Sequence, residues 1–138
     1  MKTTLSLMLC AVLVPASVLA CDGDMQAESS IKTITVAELA KNKAAKVFDA
    51  NSASFRQKNG TIPGAVLLTS SSSYDLKELP AKKDTSLVFY CANTMCSASE
   101  TAAKRASEAG YTNVAVLPEG LMGWKAAGQK TVAVKPNS

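Results

Sequence analysis

Two cysteines, Cys91 and Cys96, stand close together in the chain with four residues between them. A thiolate is a nucleophile, a sulfur acceptor and one half of a disulfide, so this pair carries chemistry that no other cluster in the sequence offers. Histidine is absent. That count removes Ser–His–Asp and Cys–His catalysis, imidazole metal ligands and an imidazole pH switch. Two thiols without histidine also fall short of the four N or S ligands of a zinc site. No metal and no other cofactor is therefore expected. The chemistry must come from cysteine, carboxylates, lysine, arginine or backbone amides.

The elements around the pair single out Cys91. Residues 86–90 form the strongest strand signal, an apolar and aromatic run that ends at Cys91. Ser97-Ala98-Ser99-Glu100 has the pattern of a capping box, so a helix should start at about Ser97 and stop near Gly110. In open parallel α/β sheets, ligands bind at the carboxyl ends of strands. The loop and first-turn N–H groups point to a common centre there, and the helix start adds about half a positive charge. A thiol at that junction should be acidified. The same position also suits a buried structural cysteine, and position alone does not choose between the two.

The other elements alternate strand and helix. Thr35-Val36-Ala37-Glu38 is a capping box opening a short helix to about Asn42. Residues 46–49 read as a buried strand, 52–57 as a helical turn stopped by Asn59-Gly60, and 62–68 as a turn and second strand. Residues 69–73 read as a loop, 76–79 as a helical turn, 113–117 as another strand, and 121–127 as a helical turn ending at Gly128. This order implies an α/β fold with a parallel sheet of four or five strands and helices on its faces. A hydrophobic content of 47% with 19% charged residues fits one globular domain. The net charge of +4 is small and dispersed, so no nucleic-acid partner is expected.

The N-terminus reads as an address. Lys2 precedes an uncharged run from Leu5 to Ala20, interrupted by Pro15 and shorter than the roughly 20 apolar residues of a spanning helix. Val18-Leu19-Ala20-Cys21 resembles a bacterial lipobox. That resemblance implies export to the cell envelope and a lipid on Cys21 as the new N-terminus, anchored to a membrane and facing the periplasm. Asp22 resembles an inner-membrane retention signal. The expected organisation is a signal peptide over 1–20, the lipidated Cys21 and a polar tether over 21–33, a folded domain over 34–135 and a tail over 136–138. Outside the cytoplasm, Cys91 and Cys96 are then an even pair in a compartment that permits disulfides.

Cys91-Ala92-Asn93-Thr94-Met95-Cys96-Ser97 resembles the active-site loop of rhodanese-like sulfurtransferase domains. Three further stretches agree in order and spacing. Val47-Phe48-Asp49-Ala50 resembles the family's first Asp-bearing strand. Gly60-Thr61-Ile62-Pro63-Gly64-Ala65 resembles its Gly-His-Ile-Pro-Gly-Ala segment, with Thr61 for His. Glu119-Gly120-Leu121-Met122-Gly123-Trp124 and Ala127-Gly128 resemble its closing pattern. The resemblance implies a single rhodanese-like domain with a five-stranded parallel sheet, and sulfur carried as a persulfide on Cys91. It also implies that loop residues Ala92, Asn93, Thr94, Met95 and Ser97 hold the anionic sulfur. Asp49 and Trp124 read as structural groups near the site: a carboxylate holding loop amides, and a core or rim anchor.

The departure from the family pattern is Cys96, where many active rhodaneses carry Arg. No Lys or Arg occurs in residues 91–103. A phosphatase-like loop would need Arg where Ser97 stands, so phosphoryl transfer is not expected. Lys104, Arg105 and Lys125 are the nearby cations that remain as candidates for the site mouth. Three functions stay open at this stage. One is sulfane-sulfur transfer with Cys96 as a second thiol, its partner a small sulfur species or a thiol protein. Another is thiol–disulfide redox by the Cys91/Cys96 pair. The third is a non-catalytic binding module whose loop is stapled by a disulfide.

Overall fold

Leu87, Val88, Phe89 and Tyr90 are each at most 1% exposed, and the rest of the molecule is laid against them. A strand covered on both faces must be apolar at every position rather than at alternate ones. The structure is a computed structural model and describes residues 31–136. The leader, Cys21 and Asp22, on which the export and lipid-anchor expectations rest, lie outside the described residues.

The chain order is β1 (Lys32–Thr33), α1 (Val36–Lys41), β2 (Lys46–Asp49), α2 (Ala53–Asn59), β3 (Val66–Leu67), a 3-10 turn (Leu76–Glu78), β4 (Leu87–Tyr90), α3 (Ala98–Glu108), β5 (Val114–Leu117) and α4 (Gly120–Ala126). The five strands form one sheet in the order β1-β5-β4-β2-β3, every neighbouring pair parallel. This is the expected α/β fold with its five-stranded parallel sheet. Leu87 and Phe89 face α3, whose Ala102, Ala103 and Ala106 are fully buried and let helix and sheet approach closely. Val88 and Tyr90 face the opposite layer, with Val36 and Leu39 of α1 and Leu121 and Trp124 of α4. Among the described residues no helix is long and apolar enough to cross a membrane.

Two boundaries differ from expectation. The polar tether was expected to run through Thr33, but Lys32 and Thr33 pair with Ala115 and Val116 as an edge strand. Their exposed side chains carry no hydrophobic pattern; backbone pairing alone makes the strand. The second strand was expected over more of 62–68, yet only Val66–Leu67 pair with β2. Ile62 and Leu68 on either side are buried.

A buried polar knot ties the carboxyl ends of β2 and β4 together. Asp49, the last residue of β2, is 0% exposed. Its carboxylate accepts from the Tyr90 hydroxyl at 2.6 Å, the Thr61 hydroxyl at 2.9 Å and the Asn51 amide at 2.8 Å. Arg56 of α2 is also buried, with Nε 3.2 Å from Asp49 Oδ1. That nitrogen is off the hydrogen-bonding direction, so the contact is charge pairing. One terminal nitrogen of the same guanidinium donates to the carbonyls of Asp49 at 2.6 Å and Leu68 at 2.9 Å. Burial, and then the Asp49 charge, push the Tyr90 hydroxyl well above the ordinary phenol range, so it stays protonated and donates.

The residues after β4 are gripped by α4. The amides of Leu121 and Met122 donate to the carbonyls of Cys91 and Ala92, both at 2.9 Å. Gly120 makes this approach possible. It has φ +58°, and a Cβ there would stand 2.5 Å from the Cys91 carbonyl oxygen and 2.7 Å from the Ala92 carbonyl carbon. Gly120→Ala therefore combines a left-handed backbone with a steric overlap and is expected to lose about 1–3 kcal/mol. A thermal melt showing no loss would contradict the close approach. Arg56→Met leaves the Asp49 carboxylate buried without its counter-charge and is expected to cost about 3–5 kcal/mol. Urea unfolding reads that loss directly, and an unchanged midpoint would show that the hydroxyls alone sustain the carboxylate.

Candidate functional site

β4 delivers Cys91 to the sheet edge, and the next five residues turn back to start α3. Asn93 makes that turn. Its side-chain oxygen accepts the Met95 amide at 3.0 Å, and its carbonyl accepts the Cys96 amide at 3.1 Å. Met95 at the loop tip is 91% exposed. The ring of amides expected over 93–97 is therefore divided. Those of Met95 and Cys96 are spent on the turn, while those of Asn93, Thr94 and Ser97 bond to no other protein group among the described residues.

The two sulfurs meet at the start of α3. Cys91 Sγ lies 3.0 Å from the Cys96 carbonyl, to which it donates, and 3.3 Å from Ser99 Oγ. The Ser99 amide donates to the Cys91 sulfur. The amides of Ala92 and Ala98 face the Cys96 sulfur, and the Cys91 side chain lies beside it. The first amides of a helix have no intrahelical acceptor; here sulfur accepts those of Ala98 and Ser99. The expected capping box over 97–100 does not form. Ser97 has φ −89° and ψ 0° rather than an extended backbone, and its hydroxyl makes no cap.

The acidity of the pair reverses the expectation for Cys91. Burial pushes the Cys91 thiol up, as does its hydrogen bond with Cys96, and the Ser99 hydroxyl and amide only partly oppose them. Burial also acts upward on Cys96. There the Cys91 thiol and the amides of Ala92 and Ala98 outweigh it, and Cys96 falls below the ordinary thiol value. The helix start does acidify a thiol, but the acidified one is the second cysteine. Both residues are free cysteines, Cys91 1% exposed and Cys96 half-buried.

Asp49 and Trp124 make no hydrogen bond to either sulfur. Asp49 reaches the loop through Tyr90, the residue before Cys91. Trp124 packs between α1 and the sheet, and its Nε1 donates to the Lys130 carbonyl at 2.8 Å. Two of the three cations left as candidates for the site mouth are engaged elsewhere. Arg105 donates to the Tyr74 carbonyl at 3.1 Å and lies over that ring, and Lys104 faces Glu108 at 3.9 Å. Lys125 is exposed on α4 and makes no ion pair among the described residues. A cavity of about 700 Å³ opens at the carboxyl ends of β2 and β3. It is lined by Asn51, Ser52, Thr69 and Ser70 and reaches Ala98, whose amide holds the Cys96 sulfur.

Sequence reasoning missed Ser99, Arg56 and Gly120. Ser99 entered only as a member of a capping box. Its place in the first turn was the signal that it faces back toward the loop. Arg56 is one of two arginines in the chain, the other being Arg105. An arginine so close to a strand-end aspartate was a signal for a buried pair. Gly120 belongs to the closing pattern in sequence, and that pattern does not show the close approach that requires a glycine.

The family model for the rhodanese-like domain matches residues 33–127. Among solved structures, the chain is similar to a Rhodopseudomonas palustris protein of unknown function, a possible tyrosine phosphatase. They share 28% identity at a TM-score of 0.60, over 77% of this chain and 88% of that one. A rhodanese-related protein from Thermoplasma volcanium is 25% identical at a TM-score of 0.59, over 73% of this chain and 97% of that one. A thiosulfate sulfurtransferase from Pseudomonas aeruginosa shares the fold at 23% identity and a TM-score of 0.60, over 78% of this chain and 21% of that one. No curated protein matches the chain. The matched residues run from β1 to the end of α4 and so take in the whole sheet and the cysteine loop, which makes this chain a member of the rhodanese-like family.

Proposed function

We propose that the chain handles sulfane sulfur, holding one sulfur atom as a persulfide on Cys91 with Cys96 as a second thiol. The observation that carries this reading is the meeting of two thiols at the start of α3, with backbone amides donating to both sulfurs. Such donors stabilise sulfur in its anionic form, which is the form that accepts and gives up a sulfane atom. The open amides of Asn93, Thr94 and Ser97 add further donors around the loop. Phosphoryl transfer is not part of the proposal, because residues 91–103 contain no arginine to hold a phosphoryl group. The partner is a small sulfur species or a protein thiol, and the cavity beside Ala98 has room for either a small molecule or the tip of a peptide.

A second reading, thiol–disulfide exchange by the same pair, draws on the two free thiols acting on each other at the start of α3. Exchange requires two neighbouring thiols, one of them ionised more readily than the other. Intact mass before and after a reductant separates the readings: exchange shows as a loss of two hydrogens, persulfide as a gain of one sulfur. We also propose export and anchoring through a lipid on Cys21, facing the periplasm and retained at the inner membrane through Asp22. The same spectrum, taken on protein from the membrane fraction, reports acyl chains on Cys21, and a soluble unacylated product would reject the anchor.

Reduced protein exposed to glutathione persulfide is expected to gain one sulfur per chain, released by cyanide as thiocyanate. The double variant Cys91→Ala/Cys96→Ala should gain none. If the folded wild type takes up no sulfur from persulfide, polysulfide or thiosulfate, sulfur handling is rejected. If the double variant takes up as much as the wild type, the loop is not its seat.

A further inference from the structure

We propose that Cys96, and not Cys91, is the thiol that first attacks a sulfur donor, and that Cys91 receives the sulfur from it. The inference rests on the sulfur-handling reading and orders its steps. Cys91 is 1% exposed, and its thiol proton is committed to the Cys96 carbonyl at 3.0 Å. An acceptor placed on a thiol favours the protonated form and holds back attack. Cys96 is half-buried, and the amides of Ala92 and Ala98 face its sulfur. Its neighbour Ala98 lines the cavity from which a donor would arrive. The more accessible sulfur is thus also the one whose thiolate the surrounding amides favour.

The chemistry balances without an outside oxidant. The Cys96 thiolate attacks the outer sulfur of a persulfide donor, R–S–SH. A Cys96 S–S bond forms, the donor's S–S bond breaks, and R–S⁻ leaves with the bonding pair. Cys91 then attacks the outer sulfur of the Cys96 persulfide. A Cys91 S–S bond forms, the Cys96 S–S bond breaks, and the Cys91 proton passes to the departing Cys96 sulfur. Neither step changes the net oxidation state. The amides of Ala92 and Ala98 that ready Cys96 for the first step also make it the better leaving group in the second, since a more acidic thiol leaves faster. On Cys91 the sulfur arrives beside the Ser99 hydroxyl and amide.

The test uses the reduced wild-type chain and limiting iodoacetamide at neutral pH, with each cysteine read by peptide mass. Cys96 is expected to be alkylated faster than Cys91, its thiolate being the more favoured and its sulfur the more accessible. Equal rates, or Cys91 first, overturn the inference. A second arm uses glutathione persulfide on single variants checked for folding by circular dichroism. Cys91→Ser should trap the added sulfur on Cys96, and Cys96→Ser should load Cys91 more slowly than wild type. Loading of Cys96→Ser at the wild-type rate overturns the inference. If no form takes up sulfur while Cys96 still alkylates first, the sulfur-handling reading fails and the order of thiol reactivity stands.

Discussion

The site depends on where the first amides of α3 find their acceptors. A helix begins with N–H groups that its own backbone cannot satisfy, and a nearby Ser, Thr or Asp usually supplies the oxygen. Here the N-cap is Ser97, and its hydroxyl is not used. The groups facing those amides are the two sulfurs, Cys96 for Ala98 and Cys91 for Ser99. A sulfur is a weak acceptor as a thiol and a good one as a thiolate. The helix start is thus better satisfied when Cys96 is ionised, and at that cysteine the amides outweigh burial. Any change that gave Ala98 or Ser99 an oxygen acceptor would stabilise the helix and weaken that preference.

A second constraint keeps the sulfurs at that place. The Asp49–Arg56–Tyr90 knot lies one residue behind Cys91 and joins β2, α2 and β4. The first turn of α4 holds the Cys91 and Ala92 carbonyls from the other side. The loop is therefore fixed at its root while its tip at Met95 stays in solvent. Neither anchor donates to a sulfur. They set where the sulfurs sit, and the amides set how the sulfurs behave.

Much of the frame was legible in the sequence because it follows from pattern. The apolar run over 86–90 is a strand buried on both faces, and the alanines of α3 are spaced to pack on it. Thr35 and Glu38 do form their capping box, at 3.3 Å and 2.8 Å. What was not legible depends on pairing rather than pattern. β1 is two exposed residues made into a strand only by the edge of β5. Ser97 and Glu100 match a capping box in sequence, and no sequence rule says that sulfur takes the slot instead. Asp49 and Arg56 are joined through tertiary packing. The acidity of Cys96 over Cys91 turns on which amide reaches which sulfur, a matter of loop geometry within a few ångströms.

The absence of a guanidinium from the loop shapes what the site can recognise. An arginine contributes a full charge and a bidentate fork, which suits a dianionic donor with two oxygens to grip. Amide dipoles contribute partial charges directed at a single point. They stabilise one anionic atom well, and the second charge of a dianion poorly. Both arginines of this chain are spent elsewhere, Arg56 on Asp49 and Arg105 on Tyr74. On the proposed reading, thiosulfate is therefore the less suitable donor, and a persulfide, with one negative sulfur and no sulfonate, the better. The second thiol stands where the guanidinium would be, and it offers the loop a nucleophile in place of a charge. On the proposed reading, that exchange turns a site that would hold an anion into one that passes a sulfur atom between two neighbours.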